Sequence, residues 1–584
     1  MLAMHRIGIF IWLVCSLQVQ ARQQPFRGLV LDQRTAEAIT AARLSAGGDT
    51  VHSGGDGRFM LPMHQTGSPV LVEHAGYNSR RLVPAANSGF QLVLLQANAD
   101  AATAPIENTR NGSPSTDTVY FNSPAIRAYQ QETYKKEQEN PFVATATTPY
   151  TAFALKSGHA SYNNIRRFLT QHKRVPPASV RIGEMLNYFT LDDPLPIDHP
   201  EQPLQAQVDM SVCPWNTAHW LMRVAVQASP PDTLDRPWNL VLLVDVSGSM
   251  GEPDKLPLLQ IALRQLAMRL RAEDTLAMIV YADTARLILP PVSGAEQDRI
   301  LRTIETLRAG GATAGSKGIA KAFALAAKRV MPEGNNRVIL ATDGDFNVGA
   351  TSDAEMKKLM EQYHQANIGL TCIGLGSGNY KDSKLETLTR WGQGTFVYID
   401  GKAEALRVFN EGAFSRMHTV ARNVRLKVVF DPGQIGYFRL TGFDSGGKNA
   451  ARAFSRRSRP PGATLSAGGR LTAYFELAPL QSRSSAPAAG TLILQYEGPQ
   501  AEQSFLQWHQ IPNRAPAFHT RNADWRFGAS VVLLGMLLRG SDYIGQGSFA
   551  MAEQLAKRAR DAVAKSDYKA YRNLLHAGWK ATRP

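Results

Sequence analysis

Leu240-Val241-Leu242-Leu243-Val244-Asp245-Val246-Ser247-Gly248-Ser249-Met250 is the stretch that decides the fold. Five consecutive apolar residues leave no polar face, so a strand here must be covered on both sides, as inner strands of parallel sheets are. Downstream the apolar spacing alternates between the periods of helix and strand. Helices are predicted over 256–270, 296–307, 316–330, 353–365 and 383–391, and strands over 275–281, 285–289, 337–341, 370–375 and 394–399. Such alternation predicts a doubly wound, Rossmann-like α/β sheet filling residues 236–414.

Ligands of open α/β sheets bind at the carboxyl ends of the strands. There Asp245, Ser247 and Ser249 leave the first strand in a single turn, Thr313 lies in the loop Gly310-Gly311-Ala312-Thr313-Ala314-Gly315 ahead of a helix, and Asp343 closes the strand Val338-Ile339-Leu340-Ala341-Thr342. Asp345 is an alternative to Asp343, better placed one layer further out. Two carboxylates and three hydroxyls, with no imidazole or thiolate, form a hard-oxygen set suited to Mg²⁺ or Mn²⁺ and leave a position open in an octahedral shell. Few protein charges surround the ion, so it retains affinity for one more carboxylate.

These five residues resemble the metal-ion-dependent adhesion site of von Willebrand factor type A domains, in which Asp-x-Ser-x-Ser, a distant Thr and a distant Asp-Gly form a metal cup. The resemblance implies that a Glu or Asp of a protein partner completes the coordination. No catalytic residue is expected. Gly310 to Lys317 misses the phosphate-loop pattern because Ser316 separates the last Gly from Lys317, and Gly374-Leu375-Gly376-Ser377-Gly378 lacks the third Gly of a dinucleotide fingerprint and is read as a turn. Neither a His-Glu-x-x-His helix nor a Gly-x-Ser-x-Gly elbow occurs, and His52, His64 and His74 are too scattered to read as a zinc site. A metal-assisted hydrolase and an inert envelope scaffold stand as the rival functions.

The chain's 584 residues, 44% hydrophobic and 19% charged, suffice for several cores. A formal net charge of +15 suits acidic partners or an acidic envelope polymer; with no basic block interleaved with aromatics, nucleic acid is not expected. His5 and Arg6 before the apolar run Ile7 to Leu17, then Val19-Gln20-Ala21, read as a secretory signal over 1–21 with the mature chain starting at Arg22. The protein is therefore expected in the periplasm or cell envelope. Trp12-Leu13-Val14 before Cys15 departs from a lipobox, which leaves lipid anchoring through Cys15 as the lesser alternative. Once the signal is gone, only Cys213 and Cys372 remain, and buried free thiols are the expectation. The longest later apolar run, Phe527 to Leu538, is too short to span a bilayer and reads as a core helix.

Residues 22–95 show short alternating strands with turn signals and predict a small β-sandwich. Phe26-Arg27-Gly28-Leu29-Val30-Leu31-Asp32, Asp56-Gly57-Arg58-Phe59 and Gly76-Tyr77 resemble the carboxypeptidase-regulatory-like domain, which implies packing or adhesion. Residues 96–138, poor in large apolar groups, are expected to be a linker.

Glu139-Asn140-Pro141-Phe142, Ala160-Ser161-Tyr162-Asn163-Asn164-Ile165-Arg166-Arg167-Phe168-Leu169, Arg181-Ile182-Gly183-Glu184-Met185-Leu186-Asn187-Tyr188-Phe189 and Cys213-Pro214-Trp215-Asn216 resemble the N-terminal extension of bacterial YfbK-like proteins. Tyr437-Phe438-Arg439-Leu440-Thr441-Gly442-Phe443 and Leu538-Arg539-Gly540-Ser541 resemble their C-terminal region. The likeness implies a β-rich extension with helices over 139–235 and a β-rich, then helical, region over 415–584. Two acid-bearing stretches of the family are replaced here, one around Lys156 and one by Arg456, Arg457 and Arg459. The expectation is that the regions flanking the central domain pack into one β-rich body; on it these cations form either an anion-attracting patch or, beside Pro460 and Pro461, solvated Arg side chains in a flexible loop.

Overall fold

The computed structural model describes residues 25–33, 36–63, 68–84, 90–98, 132–134, 137–191, 195, 202–230, 236–311, 316–332, 334–344, 358, 360, 368–377, 380, 382–392, 394–410, 418–443, 462–481, 486–499 and 503–582. The expected signal with Cys15, as well as His64, Thr313, Asp345, Arg456, Arg457 and Arg459, lie outside them. The chain forms two units, Met1–Glu107 and Asn108–Pro584.

In the first unit two small sheets share one apolar core. One has the order β4 (Arg58–Leu61), β1 (Phe26–Asp32), β7 (Gln91–Leu95), and the other β3 (Asp49–His52), β2 (Arg43–Ala46), β5 (Val70–Glu73), β6 (Arg80–Leu82). The alternation seen in the sequence has a direct counterpart in burial: Val70 and Val72 of β5 point into the core with Phe26, Val30, Leu44 and Phe59.

The second unit is a β-sandwich interrupted by an α/β domain. One sheet runs β10 (Leu204–Cys213), β11 (Asn216–Ala228), β21 (Arg470–Pro479), β19 (Ile435–Thr441), β8 (Val143–Ala144). The other runs β20 (Ala463–Ser466), β18 (Thr419–Phe430), β22 (Ala488–Glu497), β23 (Ser504–Pro512), with β9 (Tyr150–Ala154) also paired to β18. Strands from before and after the central domain thus interleave: β11 pairs with β21 and β9 with β18. Leu426, Val428 and Phe430 of one sheet bury against Met222, Val224, Phe438 and Phe475 of the other.

Between β11 and β18 lies the central domain. Its six strands have the order β14 (Ala285–Ser293), β13 (Thr275–Tyr281), β12 (Trp238–Asp245), β15 (Asn335–Thr342), β16 (Ile368–Leu375), β17 (Thr395–Ile399), all parallel except β14. The apolar run of β12 is buried at every position. Its even residues Leu240, Leu242 and Val244 meet α3 (Leu256–Ala267), α4 (Gln297–Thr306) and α7 (Lys402–Val408). Its odd residues Val241 and Leu243 meet α5 (Ser316–Ala327) and α6 (Asp382–Trp391).

Helices α1 (Ala160–Thr170) and α2 (Ile182–Asn187), together with α8 (Ala523–Arg539), α9 (Phe549–Lys557) and α10 (Lys565–Ala581), share a further core. The apolar run of α8 is buried almost throughout, and no described helix is long and apolar enough to cross a membrane. Salt bridges fix α1 and α2 to the central domain. Arg166 forks onto Asp400 with two 2.6 Å hydrogen bonds, and Arg181, buried, bonds Asp382 at 2.7 Å and Glu184 at 2.6 Å.

Two expectations are corrected. The end of the expected linker is packed: Tyr134 contacts Phe168 and Tyr380, and Glu132 pairs with Arg167. Tyr134 supplies the apolar surface that packs this end of the stretch. Lys156 attracts no anion from solvent, because it is mostly buried between Glu137 and Glu386 and neutralised by both. Cys213 and Cys372 are buried and unbridged.

Candidate functional site

The parallel register of the central sheet sets the site. Asp245 ends β12 opposite Tyr281, the last residue of β13, while Val244 faces Ala341, so that Thr342 also reaches the same edge. Three donors lock the Asp245 carboxylate. Tyr281 and Thr342 hydroxyls donate to Oδ2 at 3.1 and 3.0 Å, and the Ser247 amide donates to Oδ1 at 2.9 Å. Thr342 Oγ1 accepts in turn from the Gly344 amide, which fixes the turn carrying Asp343.

Ser247 and Ser249 bring their hydroxyls within 3.2 Å of each other, as two hydroxyls aimed at one point would lie. Both carboxylates, Asp245 and Asp343, are fully buried. Burial pushes the Asp245 carboxyl above its ordinary range; hydrogen bonds from Ser247 oppose this, and the charge of Asp343 adds to it. The loop leading to Thr313 is tied alongside, since the Gly310 amide bonds Val246 O and the Gly248 amide bonds Gly311 O. Thr313 itself lies outside the described residues. At Gly311, with φ +87°, a Cβ would stand 2.8 Å from an oxygen of Asp283, so that a third acid borders this loop.

The sequence reading missed a cation. Lys255, just ahead of α3, is buried, and its Nζ lies 3.0 Å from Asp343 Oδ2. Its stem crosses Gly376, where a Cβ would fall 2.4 Å from Lys255 Cε, and Gly376 adopts the left-handed φ of +72°. The glycine of the turn after β16 is thus what admits the lysine. Tyr398 bonds the Gly376 carbonyl at 2.6 Å and holds the turn. Tyr281 and Thr342 were missed too, although aligning the strand ends would have found them. Lys255 carries no motif.

The donor set fits a hard divalent ion. Among the described residues no cluster of three His, Cys, Asp or Glu side chains is formed, so any ion here depends on the hydroxyls beside Asp245 and Asp343. Among the described residues Lys255 meets Asp343 at salt-bridge distance, and a further cation would favour two carboxylates buried side by side, because charge held away from water is costly.

Fold and sequence together define a von Willebrand factor type A domain protein. The von Willebrand factor type A domain model matches residues 240–345, a von Willebrand factor model matches residues 128–223, and the model of the C-terminal region of the uncharacterized protein YfbK matches residues 415–577. The chain is 30% identical over 453 residues to the uncharacterized protein YfbK of Escherichia coli (strain K12), a match covering 73% of this chain and 77% of that protein. The chain belongs to the YfbK-like family.

It is also 28% identical over 155 residues to the human inter-alpha-trypsin inhibitor heavy chain H2, covering 25% of this chain and 16% of that protein. Among solved structures, a von Willebrand factor type A protein from Catenulispora acidiphila aligns over 66% of this chain and 98% of its own, with TM-score 0.38 and 17% identity. The ArnB paralog VWA2 from Sulfolobus acidocaldarius aligns over 65% and 97%, with TM-score 0.33 and 13% identity. Von Willebrand factor type A domain proteins of this type generally mediate protein interactions.

Proposed function

We propose that this protein captures protein partners in the bacterial cell envelope through a Mg²⁺ or Mn²⁺ ion held by Asp245, Ser247, Ser249, Thr313 and Asp343. An Asp or Glu of the partner would complete the ion's shell, and the ion would supply the electrophile that selects a carboxylate. One observation carries the reading: Asp245 is held rigid by three donors while two serine hydroxyls and a second buried carboxylate stand at the same strand ends. Placing a site on a packed sheet edge limits how far its ligands can drift.

The central domain folds around the apolar faces of β12, not around Asp245, so Asp245→Ala should remove the ion and spare the sheet. Titration calorimetry of the full chain should show Mg²⁺ heat in the wild type and none in Asp245→Ala, with unchanged circular dichroism. Wild-type affinity in the variant would remove Asp245 from the site. Export rests on the signal pattern of residues 1–21, and the carboxypeptidase-regulatory-like reading of 22–95 rests on its motifs. N-terminal sequencing of protein recovered from the periplasm should give Arg22; an unprocessed chain retained in the cytoplasm would refute the envelope role.

A further inference from the structure

Far along the chain from the proposed metal cup, α10 carries Lys565, Lys569, Arg572, His576 and Lys580. Offsets of four, three, four and four residues confine these side chains to within about 80° of one helix face. All five are solvent-exposed, whereas Tyr568, Tyr571, Leu574 and Leu575 turn the opposite face into the core. The stripe borders a cleft of about 1230 Å³ that is also lined by Leu169 and His172, at the end of α1. Arg560 adds a further cation. Of the two acids in the lining, Glu553 is already engaged at 3.3 Å by both Arg572 and Lys557.

We propose that this cleft binds an acidic, partly apolar peptide segment of a protein partner. Charge complementarity gives the sign of the ligand, and the walls give its class. Half-buried Ala577 and the edges of the otherwise buried Leu169, Val563 and Tyr568 line the cleft between the cations, a narrow apolar surface that a phosphate chain would leave unfilled. The concave shape does not match a bilayer surface. From Lys565 to Lys580 the helix rises about 22 Å, the length of some seven residues of extended chain, whose side chains alternate between the two faces. A strand of alternating Glu and Leu could therefore set its acids on the stripe and its apolar groups on the floor.

The site shares no residue with the metal cup, and its binding should be independent of it. The test uses the full chain and a fluorescein-labelled octapeptide of alternating Glu and Leu, followed by anisotropy with and without chelator. Binding is expected to ignore chelator and Asp245→Ala, to weaken with added salt, and to fall at least tenfold in a Lys565→Glu, Lys569→Glu, Lys580→Glu variant. Lys328→Glu, an equal class of surface charge change at the end of α5, should alter it less than twofold. Should the triple variant melt early, Lys569→Gln with Lys580→Gln replaces it, with a threefold loss expected. Equal loss in Lys328→Glu, unchanged binding in the stripe variants, or capture of inorganic polyphosphate or phosphatidylglycerol vesicles in place of the octapeptide would each overturn the proposal.

Discussion

Replacing Lys255 by Met should tighten Mg²⁺ binding at the proposed cup while weakening the metal-free fold. The ammonium lies 3.0 Å from Asp343 Oδ2. An ion on the same oxygen, at about 2.1 Å, would stand within about 5 Å of the ammonium. At an effective dielectric near 20, a single and a double positive charge at that separation repel by about 7 kcal/mol. Lysine is flexible and can swing from Asp343 as the ion arrives, so only part of this is felt. A gain of about 1.4 kcal/mol, tenfold in affinity, is the minimum expected. Without the ion the variant leaves Asp343 buried and short of its cation, a loss of about 3 kcal/mol for a broken buried pair. Saturating Mg²⁺ should then raise the melting temperature of Lys255→Met more than that of the wild type. Calorimetry and thermal melts with and without Mg²⁺ measure both effects. Equal or weaker Mg²⁺ affinity in the variant would show that Lys255 supports the ion rather than competing with it, and would refute the reasoning.

Two further outcomes follow from buried charge in the second unit. Arg181→Met strips the cation from Glu184 and from Asp382, whose carboxyl burial already holds up at about 6 against the pull of Arg181. Urea unfolding should show a loss of about 3–5 kcal/mol, partly recovered when Asp382→Asn is added; a loss below 1 kcal/mol would mean that the ion pair does not fasten α2 to α6. Lys427, on β18, is buried, and burial brings its ammonium down to about 7. Its folded value thus lies below the unfolded one near 10.4, so the unfolded chain binds more protons between the two and stability should rise with pH through that window. Between pH 7 and pH 9 the gain should reach up to about 3 kcal/mol and vanish in Lys427→Met; an unchanged slope in that variant would assign it to other groups.

What could be read from the sequence follows periodicity. The apolar run of β12 announces a two-faced strand because both of its faces are covered, and the buried α8 is visible as Phe527 to Leu538 for the same reason. Asp245, Ser247 and Ser249 are legible because one turn holds them together in sequence. The interleaving of β11 with β21 and of β9 with β18 is anticipated only as a packing of flanking regions. Strand registers between segments some 250 residues apart depend on side-chain fit across the sandwich, which no local pattern encodes.

Buried charge is the least legible part, and Lys156 and Lys255 show why. In sequence Lys255 carries no motif and Lys156 stands out only as a replacement in an acid-bearing stretch of the family, and composition favours placing a lysine at the surface. The fold instead brings Glu137 and Glu386 around one and Asp343 against the other. Partners at such separations are selected by the tertiary structure, so a lysine's place in the sequence does not say whether an acid of the same chain already holds it. The stripe on α10 differs because its spacing is local: five residues at helical offsets declare one face wherever the helix packs. Whether that face is covered is decided by the buried opposite face, with Tyr568, Tyr571, Leu574 and Leu575 directed inward and the cations left to line the cleft. A basic patch is therefore better inferred from a helix whose apolar side is already committed than from the count of cations in a segment.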